Sequence, residues 1–191
     1  MADQAVIAVH ELAKNFGPVE AVRGIDLEVQ PGEIFGFLGP NGAGKSTTIN
    51  ILCTLMRATS GTATVAGIDV DHDPAAVRSR IGLVFQDPSL DQQLTARENL
   101  EFHAFVYDVP ASSRKERINE VLAMGDLADR ADSVVMTYSG GMRRRLEIAR
   151  GMMHTPDVLF LDEPTIGLDP QTRRHIWSYL GELPKRAGVT I

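Results

Sequence analysis

Gly39-Pro40-Asn41-Gly42-Ala43-Gly44-Lys45-Ser46 is the stretch from which the rest of the sequence can be read. It follows the pattern G-x-x-x-x-G-K-[ST], and its flanks give that pattern meaning. Residues 33–38, Glu-Ile-Phe-Gly-Phe-Leu, are almost wholly apolar and predict a strand buried on both faces. Residues 47–56 place Ile49, Leu52, Cys53 and Met56 at helical spacing. Between such a strand and helix, glycines let backbone N–H groups turn inward, so that amides and the positive helix end surround a polyphosphate. Lys45 supplies a point charge for the β- and γ-phosphates, the Ser46 hydroxyl is a magnesium ligand, and Thr47 adds a phosphate contact.

Working outward, β-branched clusters at residues 5–10 and 25–29 predict strands joined through a loop at 14–18, with a Pro31-Gly32 turn before the apolar run. Residues 62–66 and 81–85 predict further strands, separated by a short helix after Pro74. The character then turns helical. Thr95 and Glu98 are spaced as a capping box ahead of residues 96–107. Ser112 or Ser113 can cap a helix running to Met124, with Gly125 as its stop, and Ser139 a third reaching Met153. Residues 157–161 return to strand, Asp169-Pro170 opens a helix to about Leu183, and residues 189–191 begin another strand. The reading is one α/β domain in which residues 1–87 and 155–191 form the core and residues 88–154 an inserted helical lobe.

A chain of 191 residues can bury a sizeable core without staples, and a formal net charge of −6 argues against holding nucleic acid by bulk electrostatics. The single cysteine, Cys53, rules out an intrachain disulfide and a cysteine-rich zinc site. No run approaches the ~18–20 apolar residues that cross a bilayer, and residues 1–4 lack a basic start. The expectation is a soluble chain that is not secreted.

A second motif closes the strand at 157–161. Asp162 and Glu163 put two carboxylates at the exit of an apolar run, a costly position without a compensating cation or proton. Alone, Asp162-Glu163-Pro164 also fits a simple turn. Beside a phosphate loop, Asp162 reads as a direct or water-mediated magnesium partner, and Glu163 as the base that orients and deprotonates the attacking water.

These motifs, with four other features, resemble the ATP-binding cassettes of ABC transporters. Tyr138-Ser139-Gly140-Gly141-Met142-Arg143 is similar to the family signature, Gln86 in Val84-Phe85-Gln86-Asp87 to its Q-loop, Gly167-Leu168-Asp169 to its D-loop, and Phe16 falls where an aromatic stacks on adenine. The resemblance implies a P-loop NTPase (RecA-like) core with an N-terminal antiparallel β-subdomain and an inserted α-helical subdomain. It implies ATP with Mg2+, and a head-to-tail dimer, homodimeric or paired, in which Ser139, Gly140 and Gly141 of one cassette close over the nucleotide of the other. On this basis Glu163, Gln86 and Lys45 are the catalytic candidates, and Ser46, Gln86 and Asp162 the metal ligands. Each motif also has a plainer reading: Ser139 as a routine helix cap, Gln86 as a solvated strand end, Phe16 as packing. Arg143, Arg144 and Arg145 splay over different helix faces, and the expectation is a solvated or partner-facing edge rather than a nucleic-acid contact.

Residues 137–150 and 163–172, with the run 85–91, are similar to cassettes of daunorubicin-type multidrug exporters. That resemblance implies ATP-driven export through separate integral membrane permease subunits, with the cassette peripheral on the cytoplasmic face. Two features depart from the pattern. Met142 stands where Gln is usual, and the family's switch histidine would follow the strand that opens near Val189, whereas this sequence reaches Ile191. His154 and His175 lie in other motifs. The expectation is a cassette incomplete at its C-terminus, binding ATP but turning it over poorly. Rival classes fit less well: the interval between phosphate loop and signature holds no long coiled coil, the motif set does not repeat, and no Asn-Lys-x-Asp guanine-reading motif is present. A nucleotide-binding module without turnover is the non-enzymatic alternative.

Overall fold

The computed structural model describes residues 5–86 and 89–191. Residues 1–4, on which the reading of the N-terminus rests, lie outside the described residues, as do Asp87 and Pro88, where the expected boundary between core and helical lobe falls. The chain divides into two compact units: Met1–Gly82 with Asp157–Phe160 and Pro184–Ile191, and Leu83–Pro156 with Leu161–Leu183.

The first unit is built on a four-stranded antiparallel sheet of order β2-β1-β3-β4. Its strands are β1 (Ile7–Phe16), β2 (Val19–Val29), β3 (Ser60–Val65) and β4 (Ile68–Asp69). Alternation puts Ile7, Val9, Leu12, Val22, Val29, Ala63 and Val65 into the core. The loop expected at 14–18 contracts to Gly17-Pro18, because Asn15 and Phe16 pair with Glu20 and Val19 and so extend both strands. Register slips between Val9 and Leu12, where Glu11 takes φ +45° and its amide donates to Asp26 at 2.9 Å. Gly61 answers that bulge: a Cβ there would lie 2.3 Å from the Glu11 carbonyl oxygen.

Helix α1 (Lys45–Leu52) packs on β2 and β3 through buried Thr48, Ile51 and Leu52. It ends earlier than the sequence predicts, since Cys53 leaves the helix and Thr54 turns to φ +62°. Helix α2 (Pro74–Arg80) starts as expected, with Asp73 accepting from the Ala76 amide at 3.0 Å and proline in the first turn. Strands β5 (Ile81–Val84) and β6 (Val158–Leu161) form a two-stranded sheet. They run parallel, since Arg80 meets Asp157 at one end and Val84 meets Asp162 at the other.

The strand expected at residues 33–38, buried on both faces, does not form. Ile191 donates to the Glu33 carbonyl at 2.9 Å and accepts from the Phe35 amide at 2.7 Å. On the other side, Thr190 donates to the Asp157 carbonyl at 2.9 Å and accepts from Leu159 at 2.8 Å. Thr190 and Ile191 thus bridge two segments, and the pairing reaches no further than Phe35. Among the described residues nothing offers residues 36–38 a ladder, and Ile34, Phe35 and Leu38 are exposed. Apolarity selects a strand only where another backbone supplies its hydrogen bonds.

The second unit is mainly helical. Helices α3 (Ala96–Val106), α4 (Ala111–Met124) and α5 (Gly140–Gly151) pack on one another, burying Leu100, Ala104, Ile118, Val121, Leu122, Leu146 and Ile148. The capping box is complete: Thr95 accepts from the Glu98 amide, and Glu98 accepts from Thr95 at 2.7 Å. Helix α4 begins before the predicted serine cap, because the Pro110 carbonyl takes the amides of Ser113 and Arg114, each at 3.0 Å. Two 3-10 turns (Ala128–Arg130 and Val135–Thr137) lead into α5, and helix α6 (Pro170–Ala187) runs through Pro184. No helix among the described residues is long and apolar enough to cross a membrane.

His103 on α3 lies 4.5 Å from the Tyr107 ring, which stacks on His154 at 4.1 Å. Burial, with Arg150 and His154 nearby, pushes its imidazolium down from 6.5 to about 4. The unfolded chain therefore binds this proton more tightly. The contribution of His103 to stability is intact above about pH 6.5 and declines as pH falls towards 4. The expected loss by pH 4 is on the order of 2–3 kcal/mol, and His103→Phe should flatten that slope in melting curves recorded from pH 8 to 4.

Candidate nucleotide-binding site

The first unit carries Phe16 and the phosphate loop. Gly42 and Gly44 take φ +81° and +84°, and Gly44 occupies the N-cap of α1 with no side chain to cap it. A Cβ on Gly44 would fall 2.3 Å from the Ala21 carbonyl oxygen and 3.1 Å from Val22 Cγ2, so only glycine fits against β2. The first amide to find an intrahelical acceptor is that of Thr48, which donates to the Gly44 carbonyl at 2.8 Å, leaving the earlier amides of the turn for an anion. Lys45 Nζ donates to the carbonyls of Gly39 at 2.7 Å and Pro40 at 2.9 Å, which bends the ammonium back over the start of the loop. Ser46 is exposed and Thr47 half-buried at the same helix end. Phe16 is half exposed at the tip of the β1–β2 hairpin, with Lys14 Nζ 5.2 Å above its ring.

The second unit carries Gln86, Asp162, Glu163 and Ser139, Gly140 and Gly141. Asp162 is half-buried, its amide bonded to the Val84 carbonyl at 3.0 Å, so β5 and β6 set the positions of Gln86 and the carboxylates together. Glu163 is exposed and sits at φ +46°, a left-handed conformation uncommon for a residue with a Cβ. Among the described residues no three His, Cys, Asp or Glu gather as a metal cluster. Ser46 on the first unit, and Gln86 and Asp162 on the second, each offer an oxygen donor of the kind a hard cation such as Mg2+ takes.

Ser139 caps α5 by accepting from the Met142 amide at 3.2 Å. The glycines after it are there for close approach rather than for flexibility. A Cβ on Gly141 would meet Thr172 Cγ2 at 2.5 Å, and one on Gly140 would meet Leu168 Cδ2 at 3.3 Å. Asp169 fixes the start of α6 by accepting from the Gln171 and Thr172 amides, each at 3.0 Å, and the Thr172 bonds hold its carboxyl below the usual range.

The arginine run departs from expectation. Arg145 reaches the Gly125 carbonyl at 2.9 Å and Asp126 at 3.1 Å, but Arg144 is not on a solvated edge at all. It is 7% exposed, paired at 2.8 Å with Glu147, itself 4% exposed. Three more of its N–H groups find backbone carbonyls, which offsets much of the cost of burying the guanidinium. Arg144 was read only as part of a solvated or partner-facing run, and Glu147 and Thr172 were not singled out by sequence reasoning. The one available signal was the i, i+3 spacing of Arg144 and Glu147 on a helix.

A family model described as ABC transporter matches residues 22–166. The daunorubicin resistance ATP-binding protein DrrA2 of Streptomyces coeruleorubidus is 46% identical over 175 residues, covering 92% of this chain and 54% of that protein. The linearmycin resistance ATP-binding protein LnrL of Bacillus subtilis is 40% identical over 186 residues, covering 97% of this chain and 60% of that protein. Among solved structures, cbiO1 from Clostridium perfringens, described as part of the ABC transporter complex cbiONQ, superposes with a TM-score of 0.91 at 30% identity. That match covers 98% of this chain and 76% of cbiO1. The chain spans a little over half the length of the daunorubicin-resistance proteins it matches.

Gly141→Ala should lower stability by about 1–3 kcal/mol through overpacking against Thr172. Adding Thr172→Ser, which removes the opposing methyl, should recover most of it. Thermal melts of the two single variants and the pair check this, and additive losses would refute the contact.

Proposed function

This chain belongs to the ABC transporter family, and from that premise we propose that it is the ATP-binding part of an exporter. It takes ATP with Mg2+ and hydrolyses it in a head-to-tail pair of cassettes. The observation that carries the reading is the loop at the start of α1, where Gly44 is pressed onto β2 and Lys45 is bent over the loop beside amides without intrahelical acceptors. Gly39, Pro40, Asn41, Gly42, Ala43, Gly44, Ser46 and Thr47 line the phosphate path, and Phe16 offers a ring for the adenine.

Ser46, Gln86 and Asp162 are the residues that would hold magnesium, which when bound would neutralise charge on the phosphates. Glu163 serves as the general base for water, and Lys45 stabilises charge on the transferred phosphoryl. Ser139, Gly140 and Gly141 present a capped helix start to the nucleotide of a second cassette. Likeness to daunorubicin and linearmycin resistance proteins favours a drug-like or otherwise hydrophobic cargo. That cargo would cross through separate membrane permease subunits, with this chain on their cytoplasmic face. The cassette does not itself select the cargo.

Two substitutions separate binding from chemistry. Glu163→Gln should leave ATP affinity nearly unchanged and slow turnover by about 10²–10⁴-fold, accumulating an ATP-bound pair. Lys45→Ala should lose nucleotide binding itself. Fluorescent-nucleotide titration and phosphate release, each repeated with the divalent cation chelated, measure both effects; full-speed turnover by the Glu163 variant would remove that residue from its role.

A further inference from the structure

Glu163 presents a structural problem of its own. It occupies the left-handed region at φ +46°, where a Cβ crowds the following carbonyl, yet the proposed base must point in one direction. The carbonyls of its two neighbours in the chain, Asp162 and Pro164, are held by a single side chain. Arg144 donates from Nη2 to the Asp162 carbonyl at 3.2 Å and from Nε to the Pro164 carbonyl at 2.8 Å. The same guanidinium donates from Nη1 to the carbonyl of Phe85, the residue before Gln86, at 2.8 Å. Its charge is balanced by Glu147 one turn along α5, at 2.8 Å. The other carboxylate oxygen of Glu147 accepts from the Ser89 amide at 3.1 Å, beyond Gln86 in the chain.

Every nitrogen of the Arg144 fork is therefore committed, and each carbonyl it holds belongs to a residue next in sequence to Glu163 or Gln86. A lysine could not do this. An ammonium is a compact point charge, whereas the planar guanidinium carries five donors in fixed directions and can span three carbonyls at once. An ion pair this deeply buried is poor evidence of a stability role, because well-packed apolar residues usually serve as well or better.

We propose that Arg144, charge-balanced by Glu147, is the positioning residue that aims Glu163 and Gln86, tying the helix that begins at the Ser139 signature to the hydrolytic carboxylate of the same chain. The proposal rests on the roles given to Glu163 and Gln86 above. Movement of α5 on pairing with a second cassette would be transmitted by this fork to Asp162 and Pro164 on either side of Glu163, so that geometry at the base depends on engagement of the signature.

The test compares the wild-type protein with Arg144→Lys, which keeps the charge balance, and with the double variant Arg144→Met/Glu147→Gln. The double variant removes both charges and leaves an amide oxygen for Ser89. Both should fold and bind a fluorescent ATP analogue, with KM for ATP within about threefold of wild type and kcat lower by about tenfold or more. Hydrogen exchange of the amides at residues 162–168 should accelerate, while β1–β3 exchange as in the wild type. Wild-type kcat in either variant would overturn the proposal. So would joint collapse of kcat, nucleotide binding and exchange protection across the whole chain, which would make the pair merely structural. If the wild-type protein hydrolyses no ATP, the functional reading falls instead, and exchange at residues 162–168 alone decides whether the fork holds the Glu163 turn.

Discussion

A guanidinium removed from water has to place its N–H groups on acceptors, and the acceptors available inside a folded chain are mostly carbonyls. At Arg144 that requirement organises the second unit. The side chain leaves α5 and ends among three backbone carbonyls, from Phe85, Asp162 and Pro164, that no hydrophobic contact could have gathered with the same directionality. The ends of β5 and β6 are thereby referred to one atom group, and the turn around Glu163 becomes part of a bonded frame rather than a free loop. Glu147 completes the arrangement by cancelling the charge that would otherwise be stranded.

Close backbone approach does comparable work elsewhere. Gly44 lets the phosphate loop lie against the Ala21 carbonyl, and Gly141 lets the start of α5 lie against Thr172. In both places the missing methyl allows two segments to touch, and the contact then limits where the loop can go. The exposed amides at each helix start are consequently presented by a rigid support, which is the condition for strong anion binding without a large ordering cost.

What could be read from the sequence follows from how local each determinant is. The phosphate loop was legible because its chemistry demands particular residues at fixed spacing, and the Thr95–Glu98 box because both of its bonds close within one turn. Asp162 and Glu163 could be located because an apolar strand rarely ends on two carboxylates. Residues 33–38 misled for the opposite reason: composition describes the strand, but the hydrogen bonds come from Ile191. Arg144 misled because three arginines in succession look like a solvated edge, and the carbonyl partners that change the answer lie 18, 20 and 59 positions away. The likeness to known cassettes covers the family and the fold, while the buried pair depends on partners that only the folded chain brings together.

The clasp of Thr190 and Ile191 has a consequence in time. The Gly32 amide bonds Thr190 Oγ1 across 158 positions of sequence, and the Phe35 amide bonds Ile191. Loop-closure entropy must be met before contacts at such separation contribute anything, which places them among the slowest to form. On the ribosome, the antiparallel sheet of β1, β2 and β3 can assemble while the helical unit is still being synthesised. The segment that feeds the phosphate loop cannot be pinned until the last residues of this stretch emerge. Competence to grip a nucleotide thus waits on residues 190 and 191, and follows the formation of most of the first sheet.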